Sequence, residues 1–148
     1  MSDVMLRDVT VLLVEDDVDA REGLAALVEL WGARVVTAAT VADAVGRATE
    51  GGIDIAICDL GLPDDDGLRL PARVAAGAGR GIPMLALTGH ASVEARIAVE
   101  RAGFARHLAK PANPNDLLAA LVALVGGARH GARQIADATR GHRRTTSG

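Results

Sequence analysis

Aromatic side chains are almost absent from this chain of 148 residues: Trp31 and Phe104 make up 1% of it, and there is no tyrosine. Its apolar fraction of 49% comes mainly from Ala, Leu and Val. Proteins that bind single-stranded nucleic acid stack the bases on aromatic rings. The composition therefore excludes a base-stacking surface.

Cysteine and lysine each occur once. Because Cys58 is alone, an intramolecular disulfide and a cysteine-based zinc site are excluded. The sixteen basic residues are fifteen arginines and one lysine, Lys110. An ammonium is a compact point charge, whereas a guanidinium is a wide planar fork. The position that kept lysine therefore calls for a chemical reason.

Long apolar runs are also missing. A membrane helix needs about 20 consecutive apolar residues, and no segment approaches that length. The first residues, MSDVMLRD, lack the apolar stretch of a signal peptide. We predict no membrane segment and a cytoplasmic location.

Charge divides the chain into an acidic body and a basic tail. Residues 1–126 carry a net charge of −7, and residues 127–148 carry +4. The tail has no sustained apolar face, which favours a solvated extension. A basic arm for nucleic acid, a membrane or an acidic partner is the alternative. We predict a lead-in over 1–8, one domain over 9–126 and the tail over 127–148.

Strand patterns and helix patterns alternate along the body. Short apolar runs predict five strands: Val9–Val14, Arg34–Ala38, Ile53–Cys58, Ile82–Leu87 and Ala105–Ala109. Helical spacing and capping residues predict five helices: Asp19–Trp31, Val41–Thr49, Leu68–Ala76, Ser92–Ala102 and Pro114–Val125. This alternation indicates an α/β fold with a parallel sheet covered on both faces. Ligands of such sheets bind beyond the carboxyl ends of the strands.

Acidic residues follow two of the predicted strands. Glu15, Asp16 and Asp17 follow the first strand, and Asp59 follows the third. If these strands are neighbours, the carboxylates converge and repel one another. A divalent cation relieves that repulsion, and Mg²⁺ prefers oxygen ligands. We therefore predict a Mg²⁺ site at this edge.

A hydroxyl and the single ammonium follow two other strands. Thr88 ends the fourth strand, and Lys110 follows the fifth. A metal, a lysine and a hydroxyl together stabilise a phosphoryl group during transfer. A carboxylate can accept that group as an acyl phosphate. We predict Asp59 as the nucleophile.

These motifs together resemble the receiver domain of two-component response regulators. They cover about residues 9–125 and occur in the family's order and spacing: VLLVEDD at 11–17, DLGLPDDDG at 59–67, ALTG at 86–89 and Lys110-Pro111. The resemblance implies a flavodoxin-like, doubly wound (βα)5 fold. Its five parallel strands would lie in the order 2-1-3-4-5.

The resemblance also implies a chemistry for the site. Asp59 would accept a phosphoryl group from a phosphohistidine on a sensor histidine kinase or a histidine phosphotransfer protein. Asp16 would bind Mg²⁺ directly, Glu15 would act largely through water, and the backbone carbonyl of Gly61 would be a further ligand.

A switch follows from the same resemblance. Lys110 would pair with Asp59 and then with the phosphoryl oxygens, while Thr88 would move to hydrogen-bond the phosphate. An aromatic residue that changes rotamer usually stands three positions before the lysine. In this sequence that position holds His107 instead of an aromatic residue.

Partner recognition in the family uses the face formed by helix 4, strand 5 and helix 5. We expect a downstream protein to bind there, and a phosphorylation-dependent dimer is left open. No DNA-binding domain is expected after residue 126. The sequences of these motifs are similar to those in the receivers of hybrid kinases, which favours a phosphorelay.

Two other functions are weighed against a phosphorylatable receiver. A phosphorylation-independent scaffold with the receiver fold would not need the full set of acids, threonine and lysine. A phosphohydrolase of the haloacid dehalogenase type would need a second aspartate two residues after the nucleophile, where Gly61 stands. We therefore expect a signalling phosphoacceptor rather than an enzyme acting on external substrates.

Overall fold

Strands and helices alternate along the chain in a computed structural model that describes residues 5–62, 66–89 and 92–127. The strands are β1 (Thr10–Val14), β2 (Arg34–Ala38), β3 (Ile55–Asp59), β4 (Met84–Thr88) and β5 (Arg106–Ala109). The helices are α1 (Val18–Leu30), α2 (Val41–Glu50), α3 (Leu70–Ala78), α4 (Val93–Ala102) and α5 (114–127). Of the predicted tail over 127–148, residues 128–148 lie outside the described residues, as do 63–65 and 90–91.

The sheet confirms the predicted architecture. All strand pairs are parallel, and the spatial order is β2-β1-β3-β4-β5. β1 is the point where the order reverses, because the chain passes first to β2 on one side and then to β3 on the other. Val14 of β1 pairs with Cys58 of β3. The residues that follow these two strands therefore emerge side by side, where ligands of this fold class bind.

Two apolar layers cover the sheet. Leu12 and Met84 belong to the layer under α2, α3 and α4, whereas Leu13 and Leu85 belong to the layer under α1 and α5. Successive residues of a strand point to opposite faces. Strands that are covered on both faces are therefore continuously apolar, which explains the unbroken runs in β1, β3 and β4.

Helix starts are fixed by side-chain caps. The Thr40 hydroxyl accepts from the Asp43 amide at 3.0 Å, as expected for an N-cap, and the Ser92 hydroxyl accepts from the Ala95 amide at 3.1 Å. Each cap satisfies an amide that lacks a partner within its helix. The cap at Ser92 shortens the predicted fourth helix by one residue.

The third helix begins later than predicted. The pattern placed its start at Leu68, but Gly67–Arg69 forms a 3₁₀ turn and α3 starts at Leu70. The Asp66 carboxylate accepts from the Leu68 amide at 3.0 Å and stabilises this tighter turn. The 3₁₀ turn therefore leads directly into α3.

The predicted lead-in contributes to the core. Leu6 is fully buried in the layer under α1 and α5, and its amide donates to the carbonyl of Trp31 at 2.8 Å. Packing thus begins before Val9, where we placed the domain boundary. The three apolar residues at positions 4–6 are too short a run to give a periodic signal that would reveal this.

None of the helices in the described ranges combines the length and the apolar character that crossing a bilayer requires.

Candidate functional site

The turn between β1 and α1 carries the three acidic residues. Glu15 is 4% exposed, and its amide donates to the Ala38 carbonyl of β2 at 3.0 Å. Asp17 serves as the N-cap of α1, because its carboxylate accepts from the Ala20 amide at 2.8 Å. The Asp17 carboxylate is thus used by the helix, and the metal ligands implied by the family resemblance do not include it.

Asp59 is the last residue of β3 and pairs with Leu87 of β4. Although it is a carboxylate, it is only 9% exposed. Its Oδ1 accepts from the Lys110 ammonium at 2.8 Å and from the Gly61 amide at 3.3 Å. The strand therefore delivers a buried carboxylate that is held on one oxygen by a cation and a backbone amide.

Lys110 follows β5, and its amide donates to the Thr88 carbonyl at 2.8 Å. Its Nζ lies 2.8 Å from Asp59 Oδ1 and 3.6 Å from Glu15 Oε2, with 38% of the side chain exposed. One ammonium thus contacts acids from two different strands. The only lysine of the chain thus lies beside the Asp59 carboxylate, and its role in phosphoryl transfer stays a prediction.

Glu15, Asp16 and Asp59 form an acidic cluster whose ligand oxygens all lie within 4.8 Å of one another. Glu15 and Asp59 are buried, whereas Asp16 is exposed to solvent. Carboxylate oxygens at this spacing, open to water on one side, fit a hard cation such as Mg²⁺, which keeps several of its waters.

The pKa of Asp59 lies below its ordinary value. Burial by itself raises this pKa, but hydrogen bonds from Lys110 and Glu15 outweigh burial, and the Gly61 amide and the Lys110 charge act in the same direction. The carboxylate is therefore ionised at neutral pH. A nucleophile must be in that state to attack phosphorus.

Glu15 shows the opposite shift. Burial, followed by the hydrogen bond and the negative charge of Asp59, raises the pKa of Glu15 to about 7, although the Asp17 amide and Lys110 act against this rise. Burial alone would lower the pKa of Lys110, but Asp59 and Glu15 raise it above its ordinary value. Without a cation, Glu15 and Asp59 thus behave as neighbouring acids that resist double ionisation.

Thr88 ends β4 and is 5% exposed. It lines an open cavity of about 590 Å³ together with Asp59 and Lys110. The same cavity is also lined by apolar residues, Leu60, Leu68, Ala95, Ala98 and Val99. The hydroxyl, the carboxylate and the ammonium predicted from three strand ends are therefore brought together at one cavity.

The loop after β3 depends on Gly67. A Cβ at this position would lie 2.8 Å from both the Cα and the carbonyl oxygen of Leu60. Only glycine permits so close an approach of two backbone segments. Gly61, predicted as a metal ligand through its carbonyl, directly follows Leu60, and that role stays a prediction.

Within the described ranges, His107 is not among the residues that line the Asp59 cavity. It is half-buried in β5, paired with Ala86, and lines another cavity of about 400 Å³ with Arg96 and Asp116. Its role as the switch residue stays a prediction.

Cys58 is a core residue. Burial, and then the charges of Asp59 and Glu15, raise the pKa of its thiol well above the ordinary value. The thiol donates to the Asp59 carbonyl at 3.2 Å. A protonated, buried thiol is not a nucleophile.

Arg21 is a residue of the site that the sequence pattern did not reveal. Its guanidinium Nη1 donates to the Glu15 carbonyl at 3.0 Å and lies 3.4 Å from the Asp16 carbonyl. Nothing in the sequence distinguishes it from the other arginines, because its partners are backbone atoms of the neighbouring turn.

Comparison with known proteins agrees with this geometry. The sequence profile of the response regulator receiver domain matches residues 11–122. The crystal structure of a CheY-like receiver domain protein from Methanospirillum hungatei JF-1 superposes with a TM-score of 0.76 at 26% identity, covering 83% of this chain and 98% of that one. A putative response regulator from Chloroflexus aurantiacus J-10-fl gives a TM-score of 0.72 at 32% identity, covering 79% and 97%.

The chain covers different shares of its curated relatives, in several cases less than half of the relative's length. The swarming motility regulation protein RssB of Serratia marcescens is 38% identical over 102 residues, which are 68% of this chain but only 46% of that protein. An uncharacterized 14.6 kDa protein of Leptolyngbya boryana is 33% identical over 114 residues, which are 76% of this chain and 87% of that protein. By its sequence, its strand order and the residues at its strand ends, the chain belongs to the response regulator receiver domains of two-component systems.

Proposed function

We propose that this receiver accepts a phosphoryl group on Asp59 from a phosphohistidine of a sensor histidine kinase or a histidine phosphotransfer protein. The observation that carries the proposal is the contact of 2.8 Å between Lys110 Nζ and Asp59 Oδ1, made beside the carboxylate oxygens of Glu15 and Asp16. This arrangement holds an ionised acceptor next to the charges that a phosphoryl group requires.

In the transfer, an Asp59 oxygen forms a bond to phosphorus, the bond from phosphorus to the donor's imidazole nitrogen breaks, and that nitrogen keeps the electron pair and takes up a proton. Lys110 stands where it can neutralise the phosphoryl oxygens as negative charge gathers near Asp59. Mg²⁺, when bound, would add the remaining positive charge. Asp16, Asp59 and the Gly61 carbonyl would hold it directly, and Glu15 largely through water.

The output of the proposed reaction is a change in partner binding. Thr88 would hydrogen-bond the phosphoryl group, and His107 would respond on β5. The exposed part of the neighbouring helix α4 carries Val93 and Ile97, which are 67% and 43% exposed. We assign the binding of a downstream protein to the face of α4, β5 and α5. The cytoplasmic location stays a prediction.

Labelling with a small acyl phosphate and Mg²⁺ tests the proposal. Asp59→Asn should abolish incorporation of phosphate, because an amide oxygen is a poor nucleophile. Asp54→Asn is the matched control: Asp54 precedes the other end of the same strand, where its carboxylate accepts from the Thr10 amide at 2.8 Å. This control should keep its labelling.

Three results would contradict the proposal. Labelling that survives Asp59→Asn would place the acceptor elsewhere. A wild-type chain that binds Mg²⁺ but takes no phosphate from any donor, including phosphorylated histidine proteins, would favour a phosphorylation-independent scaffold. Steady release of phosphate from many phosphoesters would favour a phosphohydrolase.

A further inference from the structure

Arg21 lies in the first turn of α1, four residues after the cap Asp17. Its amide donates to the Asp17 carbonyl at 2.9 Å, and its side chain is directed back to the turn that precedes the helix. The guanidinium Nη1 donates to the Glu15 carbonyl at 3.0 Å and more weakly to the Asp16 carbonyl at 3.4 Å. One side chain of the helix thus holds two successive carbonyls of the acidic turn.

These two carbonyls belong to the two peptide planes that flank the Cα of Asp16. Because each peptide unit is rigid, the backbone at a residue has only two soft dihedral angles, φ and ψ. Hydrogen bonds to the preceding and the following carbonyl therefore restrain both angles at Asp16. They fix the direction in which its Cβ leaves the main chain.

Asp16 needs such a restraint more than the other acids do. Glu15 and Asp59 are buried at strand ends, where neighbouring strands hold their backbones, but Asp16 is exposed and lies after the last residue of β1. Within the described part of the chain, Arg21 makes no ion pair with a carboxylate. The guanidinium therefore leaves the Asp16 oxygens available to the cluster.

We infer that Arg21 is a positioning residue, which orients the Asp16 carboxylate toward Glu15 and Asp59 and so sets the affinity for Mg²⁺. This inference rests on the proposed function, because it concerns the same cation. Side chains that orient metal ligands commonly change metal affinity 10- to 100-fold when they are replaced.

The sign of the effect separates positioning from charge. Arg21→Met removes both hydrogen bonds and one positive charge beside the cation site. Loss of positioning weakens Mg²⁺ binding, whereas loss of the charge alone would strengthen it. We expect affinity for Mg²⁺ to fall about tenfold in Arg21→Met. Arg21→Lys keeps a donor and the charge, so it should recover part of that loss.

Calorimetric titration of the full chain with Mg²⁺ measures this affinity without phosphorylation. Arg47→Met on α2 is the matched control, because Arg47 is half exposed and its ion pair with Glu50 is long, at 4.0 Å; its affinity should equal that of wild type. Urea unfolding without Mg²⁺ reports any purely structural loss. If Arg21→Met does not fold, Arg21→Gln replaces it with the same expectation.

Unchanged or tighter Mg²⁺ binding in Arg21→Met would overturn the inference, as would a loss of metal-free stability with no change in affinity. Both results leave the phosphoacceptor role of Asp59 standing. A wild-type chain that binds no Mg²⁺ would overturn the inference together with the magnesium part of the proposed function. Labelling that survives Asp59→Asn would overturn the acceptor assignment without affecting Arg21.

Discussion

Charged side chains lie at both edges of the sheet, but their exposure to solvent differs. At the amino-terminal edge, Arg7, Asp8, Glu29 and Arg34 surround an open cavity of about 620 Å³, and all four are exposed. At the carboxyl edge the cavity is of similar size, about 590 Å³, yet Asp59 and the neighbouring Glu15 and Thr88 are at most 9% exposed. Cavity size alone therefore does not distinguish the two edges.

The difference between the edges comes from burial and convergence. Asp54 and Asp59 stand at opposite ends of β3, but Asp54 is exposed and satisfies a backbone amide of β1, whereas Asp59 is buried beside an ammonium and a second acid. Charges removed from water interact strongly, while exposed charges are screened. We therefore expect the chemistry at the carboxyl edge.

Removing the ammonium should give the largest effect. Lys110→Met leaves Asp59 without its contact at 2.8 Å, and we expect the rate of Asp59 phosphorylation to fall about 100-fold or more, as when one electrostatic donor of a transition state is lost. Lys110→Arg keeps the charge, but the wide fork fits the place of Nζ poorly. It should keep the fold and Mg²⁺ binding and still lose about tenfold in rate.

Labelling rates at saturating Mg²⁺ measure both variants, with circular dichroism as the check on folding. A Lys110→Arg protein as fast as wild type would show that only charge matters at this position. The compact shape of lysine would then carry no function.

A pH experiment tests the burial of Glu15. With a pKa of about 7 against an ordinary 4.5, folded Glu15 holds a proton that the unfolded chain has already released. Rising pH therefore destabilises the folded state, and the loss accumulates up to the folded pKa. Between about pH 5.5 and about pH 8, metal-free protein should lose about 2 kcal/mol of unfolding free energy through this group.

Glu15→Gln imitates the protonated acid, so that loss should disappear in the variant. Asp59, with a lowered pKa, and Lys110, with a raised one, stay ionised throughout this range. Urea unfolding in the presence of a chelator gives the comparison. Equal pH dependence in wild type and variant would mean that Glu15 ionises as an exposed acid does.

The smallest effect is expected at the amino-terminal edge. Arg34→Met removes an exposed cation from the cavity at this edge. We expect unfolding free energy to change by no more than about 0.5 kcal/mol and labelling of Asp59 to stay at the wild-type rate. A marked fall in labelling would show that the two edges of the sheet are coupled.

Much of the fold could be predicted because its signals are local. The unbroken apolar runs of β1, β3 and β4, the cap at Thr40 and the alternation of strands with helices all lie within short windows of sequence. The burial of Leu6 and the 3₁₀ turn before α3 were missed. The burial of Leu6 depends on a contact with Trp31, a distant segment that the local pattern does not include. The 3₁₀ turn is held locally by the Asp66 carboxylate, but helical spacing alone does not separate such a turn from the first turn of an α-helix.

For the candidate site, the sequence identified side chains but not their energetic states. Asp59, Thr88 and Lys110 were recognisable because each stands at a strand end and the topology brings strand ends together. The opposite pKa shifts of Asp59 and Glu15 could not be predicted, since they depend on burial and on distances of a few ångströms. Arg21 could not be found either, because it recognises backbone carbonyls, which every residue has.

The sequence by itself determined the parallel sheet and the residue types at its carboxyl edge, since hydrophobic periodicity and strand ends can be recognised from neighbouring residues. Only the tertiary structure decided which acids share one ammonium, which of them tends to keep its proton near neutral pH and what holds the exposed Asp16 in place. Those properties arise from distances and solvent exclusion between segments far apart in the chain, which no local pattern records.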